Sequence, residues 1–318
     1  MTTVLITGGT GLIGKALTKA LLHKDHRVII LTRDTRKASG YALRATSNAA
    51  KLSFAEWNIE KQTIDVDAIS RADYIIHLAG ANLGDKRWTR KRKQEIVSSR
   101  VDSGKLIVKS LLKISNRVRA VISASAIGWY GPDLPPTLSK GGSFEETDPA
   151  FTDFLGKTCE QWEKSIEPVT GLGKRLVVLR SGIVLSKEGG AFPKFLKPLK
   201  FGLATILGNG KQIISWIHID DLVRLYITAI ENKNLAGVYN AIAPHPVSNK
   251  EFVLTLAKTR GKFFIPFRVP SFVLKIVLGE MSIEVLKSAT VSSEKIQQTG
   301  FQFLFPTINS AIQRIISS

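Results

Sequence analysis

Residues 4–14 read Val-Leu-Ile-Thr-Gly-Gly-Thr-Gly-Leu-Ile-Gly, and no other stretch of the chain is as informative about the fold. The apolar run Val4-Leu5-Ile6 predicts a buried strand, and the apolar periodicity from Leu12 to Leu22 predicts a helix. A second apolar run, Val28-Ile29-Ile30-Leu31, predicts the next strand. This order of strand, glycine-rich turn, helix and strand is typical of the unit that opens a dinucleotide-binding sheet.

Three glycines in the turn have the spacing G-x-x-G-x-x-G. Gly8 permits the tight turn, Gly11 lets the backbone approach a pyrophosphate, and Gly14 lets the helix pack closely on the strand. The amides at the N-terminus of the helix then point at the phosphates. We therefore predict a dinucleotide site with contacts from Thr7, Gly8, Gly11, Leu12, Ile13 and Gly14. A plain strand–turn–helix unit is the alternative interpretation.

The end of the second predicted strand indicates which dinucleotide is bound. An NAD site usually has an acidic residue here that accepts hydrogen bonds from the adenosine ribose. This chain instead has Thr32 and Arg33, with Arg36 and Lys37 close behind. A hydroxyl and a guanidinium suit a 2′-phosphate, which a carboxylate would repel. NADP(H) is therefore the predicted cofactor, and Asp34, one residue later, leaves NAD open.

Size and composition are those of an ordinary globular enzyme. The chain has 318 residues, of which 44% are hydrophobic and 22% charged, enough for one large α/β domain and a smaller one. Its one cysteine, Cys159, excludes an internal disulfide and suits a reducing compartment, so we expect a cytoplasmic protein. No apolar run is long enough to cross a bilayer, and the N-terminus enters the first strand at once. Neither a membrane span nor a signal peptide is predicted.

The formal net charge of +19 raises the question of an anionic partner. The densest basic run is residues 86–93, and elsewhere the excess is spread over predicted helices and loops. No nucleic-acid-binding motif accompanies it. We therefore expect a basic solvated surface that also attracts an anionic cofactor, and no specific binding of nucleic acid.

Strand-like and helix-like segments alternate through residues 1–180, with helices expected at about 90–112 and 154–167. Such alternation predicts an α/β fold, a Rossmann doubly wound parallel sheet with helices on both faces. Ligands of this fold bind at the carboxyl ends of the strands. Several predicted strands end in small or polar residues, and we expect these ends to converge on one crevice: the glycine turn, Leu78-Ala79-Gly80, Ser123 to Ser125, and Arg180-Ser181-Gly182.

The pattern changes after Val184. Residues 186–212 are rich in glycine, lysine and proline and predict a loop-heavy excursion over the crevice. Short helices dominate from Pro246 onward, around an extended piece from Phe263 to Pro270. The predicted division has two parts: an NADP-binding Rossmann domain of residues 1–184, continued by about 213–243, and a smaller C-terminal domain of residues 185–212 and 244–318 that closes over the cofactor.

Several longer motifs are spread over nearly the whole chain. They are GGTGLIG at 8–14, HLAGANL at 77–83, RWTRKRKQEIVSSR at 87–100, SASAIGWYG at 123–131, RSGIVLSKEGGA at 180–191, GNGKQIISWIHIDDL at 208–222, NKEFVLTLAK at 249–258, GE at 279–280 and TGFQFLFPT at 299–307. Together they resemble the extended short-chain dehydrogenase/reductase superfamily. More narrowly, they resemble its atypical epimerase-family branch with a C-terminal DUF1731 domain, the YfcH-type proteins.

The resemblance implies further contacts with the cofactor. In similar proteins Thr32-Arg33 meets the adenosine phosphate and Leu78-Ala79 lines the cofactor. Glu95 and Arg100 would also contact NADP, because a carboxylate accepts from ribose hydroxyls and a guanidinium neutralises phosphate. Val184 would bound the nicotinamide side. A solvated helix pair is the alternative for Glu95 and Arg100.

The chain departs from its superfamily at the catalytic machinery. Typical members use Ser or Thr together with Y-x-x-x-K, in which lysine and ribose lower the pKa of the tyrosine so that it acts as general acid or base. Here Leu155 occupies the tyrosine position and Cys159 the lysine position. Lys157 is two residues early and would point elsewhere on a helix.

The remaining candidate catalytic residues are Ser125 and Tyr130. Ser125 stands at the expected strand end and could hydrogen-bond a substrate carbonyl. Tyr130 could supply a proton from another direction, and a structural tyrosine is its alternative. His218 precedes Asp220-Asp221 and could be a dyad, but the resemblance favours a helix start at which Asp caps the amides. Cys159 is expected to be a buried helix residue, and no His/Cys/Asp spacing predicts a metal site.

Two functions follow from these observations. The first is an NADP-dependent oxidoreductase or epimerase that acts on an unidentified small molecule. The second is a catalytically weak NADP-binding regulatory module that senses redox state or binds a protein partner related to cell division; loss of the Tyr–Lys pair favours it. The sequence names no substrate, because the DUF1731-like segment carries no diagnostic ligand motif.

Overall fold

The computed structural model describes residues 1–35, 49–133 and 142–317. The strands are β1 (Thr3–Thr7), β2 (Arg27–Thr32), β3 (Leu52–Asn58), β4 (Thr63–Ile64), β5 (Tyr74–His77), β6 (Ala120–Ala126), β7 (Arg175–Ser181), β8 (Ile183–Leu185), β9 (Leu203–Leu207), β10 (Ile213–Ile214), β11 (Trp216–His218), β12 (Gly237–Ala241), β13 (Val247–Ser248) and β14 (Ile265–Val269). The helices are α1 (Leu12–His23), α2 (Val66–Arg71), α3 (Arg90–Lys113), α4 (Phe154–Ile166), α5 (Phe192–Leu199), α6 (Ile219–Glu231), α7 (Asn249–Thr259), α8 (Ser271–Leu278), α9 (Met281–Leu286), α10 (Glu294–Gln298) and α11 (Ile308–Ser317).

The central sheet has eight strands among the described residues, in the order β12-β7-β6-β5-β1-β2-β3-β4. All neighbouring pairs are parallel except β3 and β4. From β1 the chain builds outward through β2 and β3, then crosses to β5 and builds outward on the other side. The strand order therefore reverses between β1 and β5, and ligands of such sheets bind at the carboxyl ends beside this point. The predicted Rossmann fold is confirmed.

Helices cover both faces of the sheet, and this explains why its central strands are apolar throughout. All five residues of β1 are buried. Val4 and Ile6 face a core formed with α1 and α6, whereas Leu5 faces a second core formed with α3 and the end of α4. Alternate side chains of one strand thus serve two hydrophobic layers.

Residues 186–212 differ from the predicted loop-heavy excursion, because they include α5, β9 and part of a third hydrophobic core, distinct from the two that β1 faces. Phe192 and Leu199 are buried, and Leu196 packs beside them, at the spacing of one helix face. Pro193 falls in the first turn of α5, where proline is tolerated. The proline and glycine content concealed a short amphipathic helix. The sequence analysis also gave no strand at β3, which extends the sheet beyond β2.

A separate hydrophobic core lies outside the sheet and unites α5, β9, α7 and α11. Its largest buried side chains include Phe192, Trp216 and Phe252. Ile296 and Phe301 instead pack with the core of the main sheet. The division into two domains stays a prediction. Within the described ranges, none of the helices combines the length and the apolar character needed to cross a membrane.

Candidate functional site

The glycine turn after β1 is shaped by close backbone packing. Gly8 has φ +69°, a left-handed conformation that L side chains rarely adopt, and a Cβ there would lie 2.8 Å from the carbonyl oxygen of Leu78. A Cβ on Gly14 would overlap the carbonyl oxygen of Gly8. Both glycines are therefore required by the fold itself, because they let the turn approach β5 and let α1 approach the turn.

Gly11 has a different role. It is the N-cap of α1, with extended backbone angles and no side-chain hydrogen bond to the helix, and no acidic residue lies in the first turn. Among the described residues beyond its chain neighbours, a Cβ on Gly11 would come within 4 Å of the carbonyl oxygen of Gly8 alone, at 3.3 Å. The first amides of α1, from Leu12 to Gly14, therefore form a positively polarised helix end that receives no capping hydrogen bond from a side chain of the described residues. This end suits a phosphate.

A buried hydrogen-bond network holds the loop after β5 against this turn. Thr7 Oγ1 lies 2.8 Å from His77 Nδ1 and accepts hydrogen bonds from the amides of Leu78 and Ala79, each at 3.1 Å. His77 Nε2 lies 3.3 Å from the hydroxyl of Ser103. Burial lowers the pKa of His77 to about 4, so the ring is neutral near pH 7.

The hydrogen-bond directions in this network follow from the neighbours. The Ser103 hydroxyl donates to the carbonyl of Ser99 at 2.7 Å, so it accepts from His77 Nε2. His77 Nδ1 then accepts from the Thr7 hydroxyl. Sequence reasoning gave His77 no role; the signal was a lone histidine in the last position of an otherwise apolar strand.

Arg100 lies where the resemblance places a cofactor contact. One guanidinium nitrogen donates to the carbonyls of Ala81 and Ile96, at 3.1 and 3.0 Å, and the guanidinium carbon lies 5.0 Å from the ring centre of Trp162. A Cβ on Gly80 would lie 3.0 Å from that carbon. Burial lowers the pKa of Arg100 to about 10, so the group stays cationic near pH 7. Gly80 and Arg100 are thus brought together at the crevice.

The adenosine end of the predicted site is basic. Thr32, at the end of β2, is half-buried and its hydroxyl accepts from the amide of Asp34 at 3.2 Å, while Arg33 is exposed. Glu95 pairs with Arg92 at 2.6 Å. This hydrogen bond, with smaller contributions from Lys86 and Arg33, holds the pKa of Glu95 below its usual value. Arg36 and Lys37 lie outside the described residues.

The segment that follows β8 passes close to the glycine turn. Val184 pairs with Ile217 of β11 and is half-buried. A Cβ on Gly190 would lie 3.4 Å from the carbonyl oxygen of Val184 and 3.5 Å from the side chain of Leu12. Residues 189–190 therefore lie over the start of α1, so Val184 and Leu12 border the same crevice.

A cavity of about 180 Å³ opens beside α4. Its walls are formed by Leu83, Arg100, Ala126, Ile127, Gly128, Leu155, Thr158, Cys159, Trp162, Ser181, Gly182, Ile183 and Glu284. Leu155 and Cys159, which are predicted to stand at the tyrosine and lysine positions of the superfamily, both contribute to this wall. Cys159 is a buried helix residue as predicted, and burial raises the pKa of its thiol to about 12. The cavity is therefore mainly apolar along the wall that Leu155 and Cys159 form.

Ser125 is not among the residues that line the cavity; its strand neighbour Ala126 is. Ser125 is 2% exposed, and its hydroxyl donates to the Glu163 carboxylate at 2.5 Å. Glu163 in turn forms a two-pronged ion pair with Arg180, at 2.8 and 2.9 Å. The hydroxyl proton of Ser125 is thus directed at Glu163 in this structure, and its role toward a substrate carbonyl stays a prediction.

Tyr130 is fully buried and belongs to the same network. Its hydroxyl donates to Asn240 Oδ1 at 2.7 Å and accepts from Arg180 at 3.1 Å. Burial raises the pKa of Tyr130 to about 12, and its ring stacks on Phe144 at 5.2 Å. This environment favours the structural alternative for Tyr130.

Arg180 is the centre of that network, and sequence reasoning missed both Arg180 and Glu163 as a pair. The Arg180 guanidinium stacks on Trp129, 3.6 Å from the ring centre, in addition to its bonds to Glu163 and Tyr130. Glu163 follows Cys159 by four residues, which places both on one face of α4. The spacing of Glu163 from Cys159, together with an arginine at the end of β7, was the sequence feature that could have indicated this ion pair.

The region around His218 is architectural, and the expected capping residue was wrong. The N-cap of α6 is His218, whose Nδ1 accepts from the amide of Asp220 at 3.1 Å. Asp221 is fully buried and accepts from the amides of Leu304 and Phe305, at 2.8 and 2.9 Å. Asp221 thus fixes the C-terminal segment to α6. In the described part of the chain, no cluster of His, Cys, Asp and Glu could hold a metal ion.

The parallel sheet with its order reversal, and the open helix end after the first glycine turn, define a Rossmann-type α/β protein with a ligand crevice at the carboxyl edge. The chain belongs to the NAD dependent epimerase/dehydratase family, whose model matches residues 4–152 and 175–241. A domain of unknown function, DUF1731, matches residues 269–315. The family resemblance inferred from the motifs is confirmed.

Individual relatives match over almost the entire chain. An epimerase family protein of Staphylococcus saprophyticus is 36% identical over 98% of both chains, and the epimerase family protein YfhF of Bacillus subtilis is 32% identical over 99% of this chain and 98% of its own. The crystal structure of the human epimerase family protein SDR39U1 (isoform 2) with NADPH has a TM-score of 0.84 at 29% identity and covers 99% of each chain. These relatives lend no support to the regulatory-module alternative.

More distant structures share the fold. UDP-glucuronic acid 4-epimerase from Bacillus cereus, in complex with UDP-glucuronic acid and NAD, has a TM-score of 0.78 at 20% identity and covers 99% of each chain. At this identity the likeness concerns the fold alone.

Proposed function

We propose that the chain binds NADP(H) along the carboxyl edge of its sheet and acts as an oxidoreductase or epimerase on a small molecule in the cavity beside α4. The observation that carries the proposal is the uncapped N-terminus of α1. Its amides are open, Gly11 leaves space for a phosphate, and the Thr7–His77 network fixes the opposing loop. The cofactor would supply hydride transfer, and the protein would bind, orient and exclude water.

The residues that would hold the cofactor form a continuous series along this edge. The glycine turn, from Gly8 to Gly14, would hold the pyrophosphate, and Leu78, Ala79 and Gly80 would face it from β5. Arg33 and Glu95 would contact the adenosine end, and Arg100 the portion next to the cavity. Val184 would border the nicotinamide. The exposed guanidinium of Arg33 and the cationic surroundings of Glu95 favour the 2′-phosphate of NADP. The NADPH in the human relative supports the same choice.

The cavity offers few groups that can move a proton. Thr158 donates to the carbonyl of Phe154 at 2.6 Å, and Ser181 donates to the carbonyl of Ser125 at 3.2 Å. Glu284 is the carboxyl group of the cavity wall; burial raises its pKa, and it pairs with Lys287 at 2.8 Å. Glu284 is therefore a third candidate, beside Ser125 and Tyr130, for the residue that exchanges a proton with the substrate. Substituting each of the three residues in turn tests which of them does so.

Cofactor binding is tested by titrating NADPH and NADH into the purified protein and following nicotinamide fluorescence. We expect saturable binding of NADPH and weaker binding of NADH. Absence of binding by either dinucleotide, in protein shown to be folded by circular dichroism, would contradict the proposal.

The reaction is tested by screening carbonyl compounds and nucleotide sugars with NADPH. For a substrate found in this way, loss of one positioned donor commonly costs about 100–1000-fold in turnover. A loss of that size in Ser125→Ala, with NADPH affinity unchanged, would support the catalytic role predicted for Ser125. Tyr130→Phe and Glu284→Gln are compared in the same assay. Full turnover in a variant removes that residue from the mechanism.

A further inference from the structure

One face of the C-terminal region exposes large apolar side chains in an arrangement that the cofactor site does not use. It consists of Phe201, Leu203, Phe263, Ile265 and Phe267, which we call the β9–β14 face. Phe201 and Phe263 are 85% and 83% exposed, and Ile265 and Phe267 are about half exposed. Single exposed apolar residues are ordinary, but a contiguous group marks a surface that meets an apolar partner.

Strand pairing places these side chains together. β9 and β14 are parallel neighbours, with Leu203 opposite Ile265 in the register, and the amide of Ile265 donates to the carbonyl of Gly202 at 2.8 Å. Along β14, alternate side chains point to opposite faces. Phe264, which precedes β14, packs against the core formed with α7 and α11, whereas its neighbours Phe263 and Ile265 are exposed.

The charge on this region has one sign. Residues 189–219 and 252–279 contain no Asp or Glu. They contain the basic residues Lys194, Lys197, Lys200, Lys211, Lys258, Arg260, Lys262, Arg268 and Lys275. The exposed phenylalanines each have a basic neighbour in the sequence, in the pairs Lys200-Phe201, Lys262-Phe263 and Phe267-Arg268. Apolar tips beside long cationic side chains are typical of surfaces that lie in a lipid interface.

We propose that the β9–β14 face docks peripherally on an anionic lipid bilayer. If a second copy of this chain docked on the face, two surfaces with an excess of positive charge would meet and repel each other. Acidic lipid headgroups instead carry the opposite charge to the face. The phenylalanines would enter the boundary between headgroups and acyl chains, and the lysine and arginine stems would extend to the phosphates. The proposal needs no spanning helix, and it is independent of the cofactor site.

Co-sedimentation of the full chain with vesicles tests this proposal. One vesicle type contains phosphatidylcholine alone, and the other contains about one-third phosphatidylglycerol. We expect binding only to the anionic vesicles at about 0.1 M salt, and much weaker binding at about 1 M salt. Lys200→Glu with Lys262→Glu should weaken partitioning at least about thirtyfold, because each lysine near an anionic surface contributes about 1 kcal/mol. Phe263→Ser with Phe267→Ser should weaken it by about tenfold or more.

Matched controls remove exposed lysines or exposed apolar side chains outside the β9–β14 face. Lys105→Glu with Lys109→Glu removes two exposed lysines of α3, and Leu112→Ser with Leu304→Ser removes two exposed leucines. These pairs should retain vesicle binding within about threefold, since they lie outside the face. All variants should keep the circular dichroism spectrum and the melting temperature of the wild type, which shows that they are folded.

Three results would overturn the proposal. The first is no binding of the wild type to anionic vesicles. The second is an equal loss in the α3 lysine pair, which would mean that net charge alone drives binding. The third is a different occupant: concentration-dependent dimerisation abolished by the phenylalanine substitutions, or binding to an acidic protein or nucleic acid with no vesicle binding.

Discussion

The glycine turn and the cavity beside α4 lie at the same edge of the sheet, but the turn depends on backbone shape and the cavity on the identity of its side chains. The turn is formed by backbone, and its glycines at positions 8, 11 and 14 retain the shape that a phosphate requires. Chemistry in the cavity needs particular side chains, and the cavity wall includes Leu155 and Cys159, the residues predicted at the tyrosine and lysine positions of the superfamily. Holding a dinucleotide and reacting with its partner molecule are therefore separable properties of this fold.

The strongest test of this comparison is Gly11→Val. A Cβ at Gly11 meets a single backbone oxygen at 3.3 Å, so the fold should accept the substitution with a small shift. The branched side chain would occupy the phosphate position at the N-terminus of α1. NADPH affinity should fall by more than about a thousandfold, measured by fluorescence titration, with the melting temperature nearly unchanged.

Gly14→Val is the matched control within the same turn. Its Cβ would overlap the carbonyl of Gly8, so we expect loss of folding stability rather than selective loss of binding. If Gly11→Val remains folded and binds NADPH as the wild type does, the cofactor does not lie across this turn. The glycine turn would then not be the part of the protein that holds the dinucleotide.

The second prediction concerns the network behind the cavity. Arg180→Met leaves the Glu163 carboxylate, whose side chain is 12% exposed, without its cation, and breaking a buried pair costs about 3–5 kcal/mol. Lys164→Met is the control, because Lys164 pairs with Glu160 on the exposed side of the same helix, at 2.7 Å. That pair contributes at most about 1 kcal/mol.

Urea unfolding of both variants supplies the measurement. A destabilisation below about 1 kcal/mol in Arg180→Met would show that the network is not structural. Ser125 and Tyr130 would then be free for a role toward substrate.

The third prediction uses the pH dependence of stability to test the network that holds the turn. The folded pKa of His77 is about 4, against 6.5 for the free side chain. The unfolded chain therefore binds more protons between these values, and the stability that neutral His77 contributes is present above pH 6.5 and lost as the pH falls toward 4. The loss amounts to about 3 kcal/mol.

His77→Asn removes the titration while keeping a polar atom near the position of Nδ1. We expect the variant to have a smaller decrease in unfolding free energy between pH 7 and pH 4 than the wild type, measured by urea denaturation. His26 and His218 also have lowered pKa values, and they remain in both proteins. Parallel pH profiles for the two proteins would mean that His77 is not buried in its neutral form.

The same contrast between backbone and side chains explains what the sequence could predict. The strands from β1 to β7 that have continuous apolar runs, and the glycine turn, follow from local composition. The pairing of Tyr130 with Asn240 joins residues 110 positions apart and has no local signal, and the pairing of Glu163 with Arg180 joins residues of two different elements, which local composition does not reveal. The orientation of Ser125 also depends on a partner from α4, so its position at a strand end did not determine the direction of its hydroxyl.

The smallest expected effect concerns which dinucleotide the turn holds. Arg33 is exposed at the end of β2, and a charge-assisted contact with the 2′-phosphate would favour NADPH over NADH by about 1–3 kcal/mol. Arg33→Ala should lose this preference through weaker NADPH binding, with NADH affinity unchanged, because NADH has no 2′-phosphate. Arg27→Ala removes the same charge from the opposite end of β2 and should leave both affinities unchanged. Fluorescence titration of the three proteins with both dinucleotides decides the matter. Equal affinities in the wild type would mean that the basic adenosine end does not select the phosphate, and that the turn recognises only the part common to both cofactors.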